Sequence, residues 1–227
     1  TLDVDLYTYV IDWHEYKNMM KSFFDADVID VELLMDNAMI SVNYKQAAKY
    51  GIKYILAGTN QSTEGMNMPS GWNWFKYDKR NIVSIIDKFG GNKIKSYPAF
   101  GIIDYLWYVS IRNIEWVSYL DYFDFNKSDA VRILEEQYSY KQYQYKHFES
   151  IFTRWYQVYL LLDKFGVYKR LFHLSTLIIS GQISRDDALN IVEEPPYRDE
   201  KQFKIDENYF LKKMGWKPED LSAYLNR

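Results

Sequence analysis

The sequence contains no cysteine, only three histidines and only 10 glycines among its 227 residues. The lack of cysteine excludes a disulfide scaffold, a cysteine-ligated zinc site and a cysteine nucleophile within these residues. The three scattered histidines form no H-E-x-x-H pattern, so little is left from which to build a metal site. Glycine is scarce, because an average usage of about 7% would give roughly 16.

Long apolar runs and an excess of positive charge are also missing. No run approaches the ~20 apolar residues of a transmembrane helix, so no membrane span is predicted. The net charge is −3, whereas nucleic-acid-binding domains usually carry a basic excess, so no nucleic-acid partner is expected. No signal-peptide pattern is visible, which favours a cytoplasmic protein. Aromatic residues, in contrast, make up 19% of the chain.

The first part of the chain alternates between strand and helix patterns. Short β-branched and aromatic runs predict strands, and apolar residues spaced by three and four predict helices. The predicted strands are residues 6–11, 54–57 and 115–120, and the predicted helices are 13–50, ended by Gly51, 78–89, capped by Asp78, and 100–111. This alternation predicts an α/β fold with a parallel, doubly wound sheet that carries helices on both faces.

The chain becomes mostly helical after residue 125. Ser184 and Asp187 have the spacing of a capping box, Gly166 is placed to end a long helix, and Pro218 suits a first helical position. The predicted helices are 128–136, 147–165, 169–180, 184–192, 207–214 and 218–225. The sequence therefore predicts two domains, an α/β domain over 1–125 and a helical part over 126–227.

The first candidate site is the polar loop 58–65, directly after the strand 54–57. Ligands of open α/β sheets bind at the carboxyl ends of strands. Gly58 allows a close approach of a ligand, Asn60 offers hydrogen-bond donors and acceptors, and Glu64 is a possible Mg²⁺ ligand. The structural alternative is a polar turn in which Ser62 or Thr63 caps a helix, and spacing alone favours it modestly.

The second candidate is the segment 146–155. On a helix, His147, Ser150 and Arg154 share one face at positions i, i+3 and i+7. Arginine binds phosphate or carboxylate with two hydrogen bonds, and histidine can protonate such a group. The alternative is a solvated helix face with an ordinary ion pair, and the segment taken alone favours that alternative.

The third candidate is the predicted helix 169–180. Lys169, His173, Thr176 and Ser180 lie on one stripe, with Arg170 beside Lys169. Cations at a helix N-terminus are opposed by the helix dipole, so the cluster is better explained by a nearby anion. The alternative, with Lys169 and Arg170 pointing to water, is about equally favoured.

These segments resemble a known family. The resemblance rests on Tyr7–Trp13 (YTYVIDW), 58–65 (GTNQSTEG) and 146–154 (KHFESIFTR), and it continues from 164 to 189. It is to the N-acetyl sugar amidotransferases, a branch of the PP-loop ATP-pyrophosphatase superfamily that acts in lipopolysaccharide, O-antigen and nonulosonic-acid sugar biosynthesis in bacteria. The resemblance implies an incomplete Rossmann-like sheet, of the adenine nucleotide alpha hydrolase type, followed by a helical C-terminal part.

The resemblance also implies an activity and its participants. ATP with Mg²⁺ would activate the carbonyl oxygen of a sugar N-acetyl group as an adenylate. Ammonia from a glutaminase-type partner would then displace AMP and leave an amidino group. The substrate would be a sugar nucleotide that carries the N-acetyl sugar.

The resemblance implies a role for each matched position. Val10, Asp12, Gly58, Thr59 and Asn60 would contact the nucleotide. A catalytic group and a substrate-binding group would complete the site, with Glu64 also holding the metal. The catalytic group comprises Asn60, Glu64, Lys146, His147 and Arg154, and the substrate-binding group comprises Glu149, Ser150, Lys169, Arg170 and His173.

The chain departs from the family pattern in two ways. The PP-loop itself, Ser-Gly-Gly-x-Asp-Ser, and the upstream cysteine-rich segment do not occur in the sequence, and Tyr168 stands where the family usually has aspartate. We therefore expect a C-terminal portion of a longer enzyme that is inactive alone. Two alternative hypotheses for the function remain. One is a sugar-nucleotide-binding and partner-docking module, and the other is a different PP-loop ligase similar to NAD synthetase.

Overall fold

The computed structural model describes residues 3–143, 148, 150–197 and 199–227. The first half of the chain contains α1 (Trp13–Asp25), α2 (Leu33–Tyr50), β1 (Tyr54–Ala57), α3 (Gln61–Glu64), α4 (Lys79–Lys88), α5 (Ile102–Leu106) and β2 (Glu115–Ser118). The second half contains α6 (Lys127–Tyr138), α7 (Ile151–Trp155), α8 (Leu161–Phe165), α9 (Lys169–Ile179), α10 (Arg185–Glu193), α11 (Glu200–Met214) and α12 (Pro218–Leu225).

The chain divides into two compact units. Unit 1 consists of 1–57 and 69–118, and unit 2 consists of 58–68 and 119–227. The loop 58–68 therefore belongs structurally with the C-terminal helices, although in sequence it follows β1. The functional assignment of 1–125 as the remainder of a PP-loop domain stays a prediction.

A small parallel sheet in unit 1 confirms the α/β class. β1 pairs with β2 in parallel, with Tyr54 opposite Glu115 and Ala57 opposite Ser118. Among the described residues these are the two strands of the sheet, so the Rossmann-like identity is not confirmed. The strand predicted over 6–11 is wrong: this segment has no regular structure and Leu6 is exposed. Within the part of the chain that the structure describes, no strand pairs with these β-forming residues.

The helix predicted over 13–50 is two helices. α1 ends at Asp25, and Asp27 adopts a left-handed conformation with φ of 53°. The apolar residues Val28, Ile29 and Val31 continue the helical spacing across this turn, which hides the break. The predicted stop at Gly51 is confirmed, because its φ of 70° and its N–H bond to the Ala47 carbonyl end α2.

An aromatic cluster forms part of the core of unit 1. The ring of Tyr44 stacks on Phe100 with centroids 5.5 Å apart and on Tyr108 at 5.6 Å. Ala47 and Ile114 complete the buried centre. Burial raises the pKa of Tyr44 to about 12, so its hydroxyl stays protonated at neutral pH.

Asn37 is a fully buried polar residue in unit 1. Its Nδ2 donates to the carbonyls of Lys76 and Phe100, each at 2.7 Å, and its Oδ1 accepts the Phe100 N–H at 3.0 Å. These bonds join α2 to the segments before α4 and α5.

Unit 2 is built from helices around stacked aromatic rings. Trp155 and Phe210 stack with centroids 4.3 Å apart, and Phe152 stacks on Tyr156 at 5.5 Å. α7 continues through a π-helical turn, Tyr156–Leu160, into α8. Part of the aromatic excess of the sequence therefore lies in this core.

Most of the predicted helices of unit 2 are confirmed. α8 ends at Gly166 with φ of 64°, and α12 spans the predicted residues. Ser184 accepts the N–H of Asp187 at 3.1 Å and donates its hydroxyl to the Asp187 carboxylate at 2.6 Å. α11 begins seven residues earlier than the predicted residue 207, and α7 begins at Ile151 rather than at 147.

Candidate functional site

A cavity of about 600 Å³ lies within unit 2, in the size range of small-molecule sites. α9 provides one wall and α6 another, and α3, the π-helical turn Tyr156–Leu160 and the end of α10 also contribute to the lining. The residues with polar side chains that line it are Thr63, Lys127, Ser128, Arg132, Glu135, Gln142, Gln157, Tyr168, Lys169, Arg170, His173 and Glu194. The apolar part of the lining includes Val131, Leu174 and Leu177.

Of the stripe predicted on α9, only the members in the first turn line the cavity. Lys169 and His173, one turn apart, both line the cavity, and Leu177 takes the next place. Thr176 is buried and donates its hydroxyl to the Phe172 carbonyl at 3.1 Å. Ser180 donates to the carbonyl of Ser62 at 2.5 Å. The last two members of the predicted stripe therefore stabilise the helix and its contact with α3.

Arg170 lines the cavity and also joins α9 to α10. Its Nη1 donates to the Glu194 carbonyl at 2.8 Å, and its Nη2 donates to the Ile191 carbonyl. Carbonyls at the C-terminal end of a helix carry partial negative charge and favour a cation. The guanidinium is thus held at a fixed position in the wall, contrary to the alternative in which it points to water. Lys169 is also buried, with 7% of its surface exposed.

The charges of the described residues around the cavity are mainly positive. Among these lining residues there are four cationic and two anionic side chains, namely Lys127, Lys169, Arg132 and Arg170 against Glu135 and Glu194. Arg132 is partly neutralised by Asp129 at 3.4 Å and by Glu136 at 3.8 Å, both solvent-exposed pairs. His173 adds a group that can donate or accept a hydrogen bond. The balance favours an anionic ligand.

The loop 58–65 forms the short helix α3, and Asn60 caps it. The Oδ1 of Asn60 accepts the Thr63 N–H at 2.9 Å and the Thr63 hydroxyl at 3.1 Å. The interpretation that Ser62 or Thr63 is the cap is therefore wrong. Asn60 occupies the N-cap position directly before α3, whereas Ser62 and Thr63 lie inside the helix.

None of the site residues predicted in this loop is among the described residues that line the cavity. Thr63 lies in the lining, whereas Gly58, Thr59, Asn60 and Glu64 are not among the described lining residues. Among the described residues, no group of three or more histidine, aspartate or glutamate side chains is arranged to hold a metal. Glu64 as a Mg²⁺ ligand, and the catalytic role of Asn60, stay predictions.

Arg154 takes part in a buried polar network. Its Nε and Nη2 donate to the two carboxylate oxygens of Asp206 at 2.6 and 2.7 Å. Tyr197 and Gln202 donate to the same carboxylate at 2.7 and 2.8 Å. Asp206 is fully buried and 17% of the Arg154 side chain is exposed, so this is not the solvated ion pair of the alternative reading. The remaining Nη1 donates to the Phe148 carbonyl at 3.2 Å.

Hydrogen bonding decides the charge state of this network. Burial raises the pKa of Asp206, but the hydrogen bonds from Arg154, Tyr197 and Gln202 outweigh it and hold that pKa below its usual value. The same carboxylate raises the pKa of Arg154. Both groups are therefore charged at neutral pH. Arg154 is positioned by this pairing, and its predicted catalytic role stays a prediction.

The other predicted residues of this segment have separate outcomes. Ser150 caps α7 by accepting the Thr153 N–H at 3.2 Å. Lys146, His147 and Glu149 lie outside the described residues.

The two predicted nucleotide contacts in unit 1 are placed at the start of α1. Asp12 caps this helix, accepting the N–H groups of His14 at 2.9 Å and Glu15 at 3.1 Å. Val10 is 84% exposed. Their contact with ATP stays a prediction.

Several notable residues of unit 2 could not be identified, or were not identified, from the sequence. Lys127 and Arg132 were not singled out, because nothing in their spacing shows which face of α6 borders the cavity. Asp206 was missed although a signal exists. It lies on the same helical face as Phe210 and Met214, both buried, and a carboxylate on an apolar face requires a partner.

A family model matches the C-terminal part of the chain. Residues 149–227 match the family described as LPS biosynthesis protein WbpG-like, C-terminal domain. No curated protein and no solved structure matches the chain. The matched segment contains Lys169, Arg170 and His173 of the cavity, and its similarity to this domain supports a role in lipopolysaccharide biosynthesis. In the part of the chain that the structure describes, no helix is both long and apolar enough to cross a bilayer.

Proposed function

We propose that this chain is the C-terminal portion of an ATP-dependent amidotransferase of lipopolysaccharide or other surface-sugar biosynthesis. Its substrate is a sugar nucleotide carrying an N-acetyl group, which becomes an amidino group. The observation that carries the proposal is the cationic cavity of about 600 Å³, which lies largely in a segment similar to lipopolysaccharide biosynthesis proteins. The remaining support is the resemblance of the sequence motifs.

Under this proposal the cavity binds the diphosphate and sugar of the substrate. Lys169 and Arg170 neutralise phosphate oxygens, and Arg170 is already oriented by the carbonyls at the end of α10. Charge-assisted hydrogen bonds of this kind are roughly twice as strong as neutral ones. His173, one turn from Lys169, hydrogen bonds a sugar hydroxyl or a phosphate oxygen. The apolar wall of Leu174 and Leu177 excludes water from one side of the ligand.

ATP, Mg²⁺ and the ammonia donor belong to the proposal through the resemblance. When bound, ATP would supply the adenylyl group that turns the amide oxygen into a leaving group. The described residues provide no complete cradle for it, because Asn60 and Asp12 use their side chains as helix caps. Under the proposal the phosphate loop lies on a segment outside these 227 residues, and a glutaminase-type partner delivers ammonia.

The activity is tested with the longer cytoplasmic enzyme that this proposal requires. Incubation with ATP, Mg²⁺, an ammonium salt and UDP-N-acetylglucosamine or a related sugar nucleotide should form AMP together with an amidino sugar, detected by mass spectrometry. The 227-residue chain alone should bind the sugar nucleotide without forming AMP. AMP formation by the chain alone would contradict its assignment as a portion. Failure of the longer enzyme to form AMP, with sugar-nucleotide binding intact, would favour a binding and docking module.

A further inference from the structure

A second cavity, of about 520 Å³, lies within unit 1 and plays no part in the proposed reaction. α2 contributes Lys45, α4 contributes Lys79, and the segment between α4 and α5 contributes Lys93. One carboxylate, Asp87, is present among the lining residues. The rest of the lining is apolar or aromatic and consists of Val83, Ile86, Ile94, Tyr97 and Ala99.

The three lysines form no ion pair with the described carboxylates. None of their ammonium groups lies within 4.0 Å of a described carboxylate, whereas Lys76 in the same unit bridges Asp30 at 2.8 Å and Asp36 at 2.9 Å. Burial lowers the pKa of Lys45, and the charge of Lys79 lowers it further against the opposing pull of Asp104. Lys79 is also the first residue of α4, where the helix dipole disfavours a cation. An anion in the cavity would offset the partial burial of Lys45 and the unfavourable dipole interaction at Lys79.

The apolar residues that line the second cavity indicate which kind of anion fits. Ile86 is buried and, with Val83 and Ile94, offers an apolar surface beside the lysines. Tyr97 uses its hydroxyl on the Leu34 carbonyl at 2.6 Å, so it presents its ring. A bare inorganic ion would leave this surface unused. A phosphate ester can place its phosphate among the ammonium groups and its organic part against these apolar residues. Asp87 can then accept a hydrogen bond from a hydroxyl of the organic part.

We propose that this second cavity, lined by Lys45, Lys79 and Lys93, is a binding site for a small organic phosphate ester. The site is separate from the cavity of unit 2 and does not depend on the proposed amidotransferase function. The shared chemistry is a phosphate monoester, which a sugar phosphate and a nucleoside monophosphate both carry.

The site is tested by calorimetric titration of the whole chain with glucose 1-phosphate, UMP and inorganic phosphate. At least one ester should bind more tightly than inorganic phosphate, and the comparison of the two esters identifies the organic part. Lys45→Gln, Lys79→Gln and Lys93→Gln should each weaken ester binding about tenfold, the effect of losing one charged hydrogen bond. All three lysines are exposed, so the variants should remain folded.

Two controls separate this site from general charge effects and from the unit 2 cavity. Lys49→Gln removes the same charge from α2 one turn away, at a residue that does not line the cavity. Lys169→Gln removes a charge from the unit 2 cavity, so any ester binding that this variant weakens belongs to that cavity and not to the second one. Lys49→Gln should leave glucose 1-phosphate binding within about twofold. Equal weakening by Lys49→Gln, equal affinity for phosphate and esters, or no binding at about 10 mM ester would overturn the proposal.

Discussion

At the scale of the residue, Asp206 shows how one buried carboxylate organises its surroundings. Its carboxylate accepts hydrogen bonds from Arg154 of α7, from Tyr197 in the segment before α11, and from Gln202 of its own helix. Arg154 and Asp206 are 52 positions apart in the sequence, so local spacing could not predict the pair. The caps at Asp78 and Ser184 could be predicted, because a cap and its helix are neighbours in sequence.

Removing the charge of Asp206 should strongly destabilise unit 2. Asp206→Asn leaves the Arg154 guanidinium without its carboxylate, and the loss of one partner of a buried pair typically costs about 3 kcal/mol or more. Chemical denaturation monitored by tryptophan fluorescence measures the change. Lys204→Gln is the matched control on the same helix: it breaks an exposed pair with Glu207 and should cost less than about 1 kcal/mol. Equal effects of the two variants would contradict this account.

The same carboxylate should make stability depend on acidity. Because the folded pKa of Asp206 is lowered, its contribution is fully present above the unfolded value of about 3.9. The contribution is lost as the pH falls through the lower, folded pKa. Between about pH 5 and pH 2, the difference in unfolding free energy between wild type and Asp206→Asn should therefore shrink. A difference that stays constant over this range would argue against a charged Asp206.

Replacing Asn37 should destabilise unit 1 to a similar extent. Asn37→Leu removes the donor to two carbonyls and the acceptor of the Phe100 N–H. Each buried polar group left without a partner costs about 1–3 kcal/mol, so a loss of roughly 3 kcal/mol is expected. Asn43→Leu, at an exposed position of the same helix, serves as control and should change stability by less than about 0.5 kcal/mol.

At the scale of the element, helix ends were predictable and strands were less so. Gly51 and Gly166 end their helices as predicted, since a glycine with positive φ is a local requirement. The segment 6–11 has the composition of a strand yet forms none, because a strand needs a partner that composition does not provide. Three residues of α9 that line the cavity, Lys169, Arg170 and His173, could be grouped from the sequence because a single helix carries them. The contribution of α6 depends on packing between helices and could not be predicted.

A pair of glycine substitutions tests the helix-end argument. Gly166 has φ of 64° with open space around its Cα, so Gly166→Ala costs only the backbone strain, about 1 kcal/mol. Gly58 also has open space but no positive φ, so Gly58→Ala should be neutral or slightly stabilising. Thermal unfolding of both variants measures the two changes in stability. A larger loss of stability for Gly58→Ala than for Gly166→Ala would contradict the argument that the positive φ of Gly166 requires glycine.

At the scale of the whole molecule, the division into two units has a measurable consequence. Each unit has its own aromatic core, around Tyr44 and Phe100 in unit 1 and around Trp155 and Phe210 in unit 2. Local opening follows such cooperative units. In hydrogen exchange with mass spectrometry, Asp206→Asn should speed exchange in α7 and α11 while α2 keeps its protection, and Asn37→Leu should do the reverse. Faster exchange throughout the chain in both variants would contradict the division.

The central claim is that the cationic cavity of unit 2 binds a sugar nucleotide, and titration with UDP-N-acetylglucosamine tests it most directly. Isothermal calorimetry is performed on the wild-type chain, on Lys169→Gln and Lys127→Gln in the cavity wall, and on Lys201→Gln, an exposed lysine of α11 outside the lining. Circular dichroism confirms that each variant is folded. The account predicts binding that weakens about tenfold in both wall variants and stays within about twofold in Lys201→Gln. Absence of binding, or equal affinity in all four proteins, would contradict it.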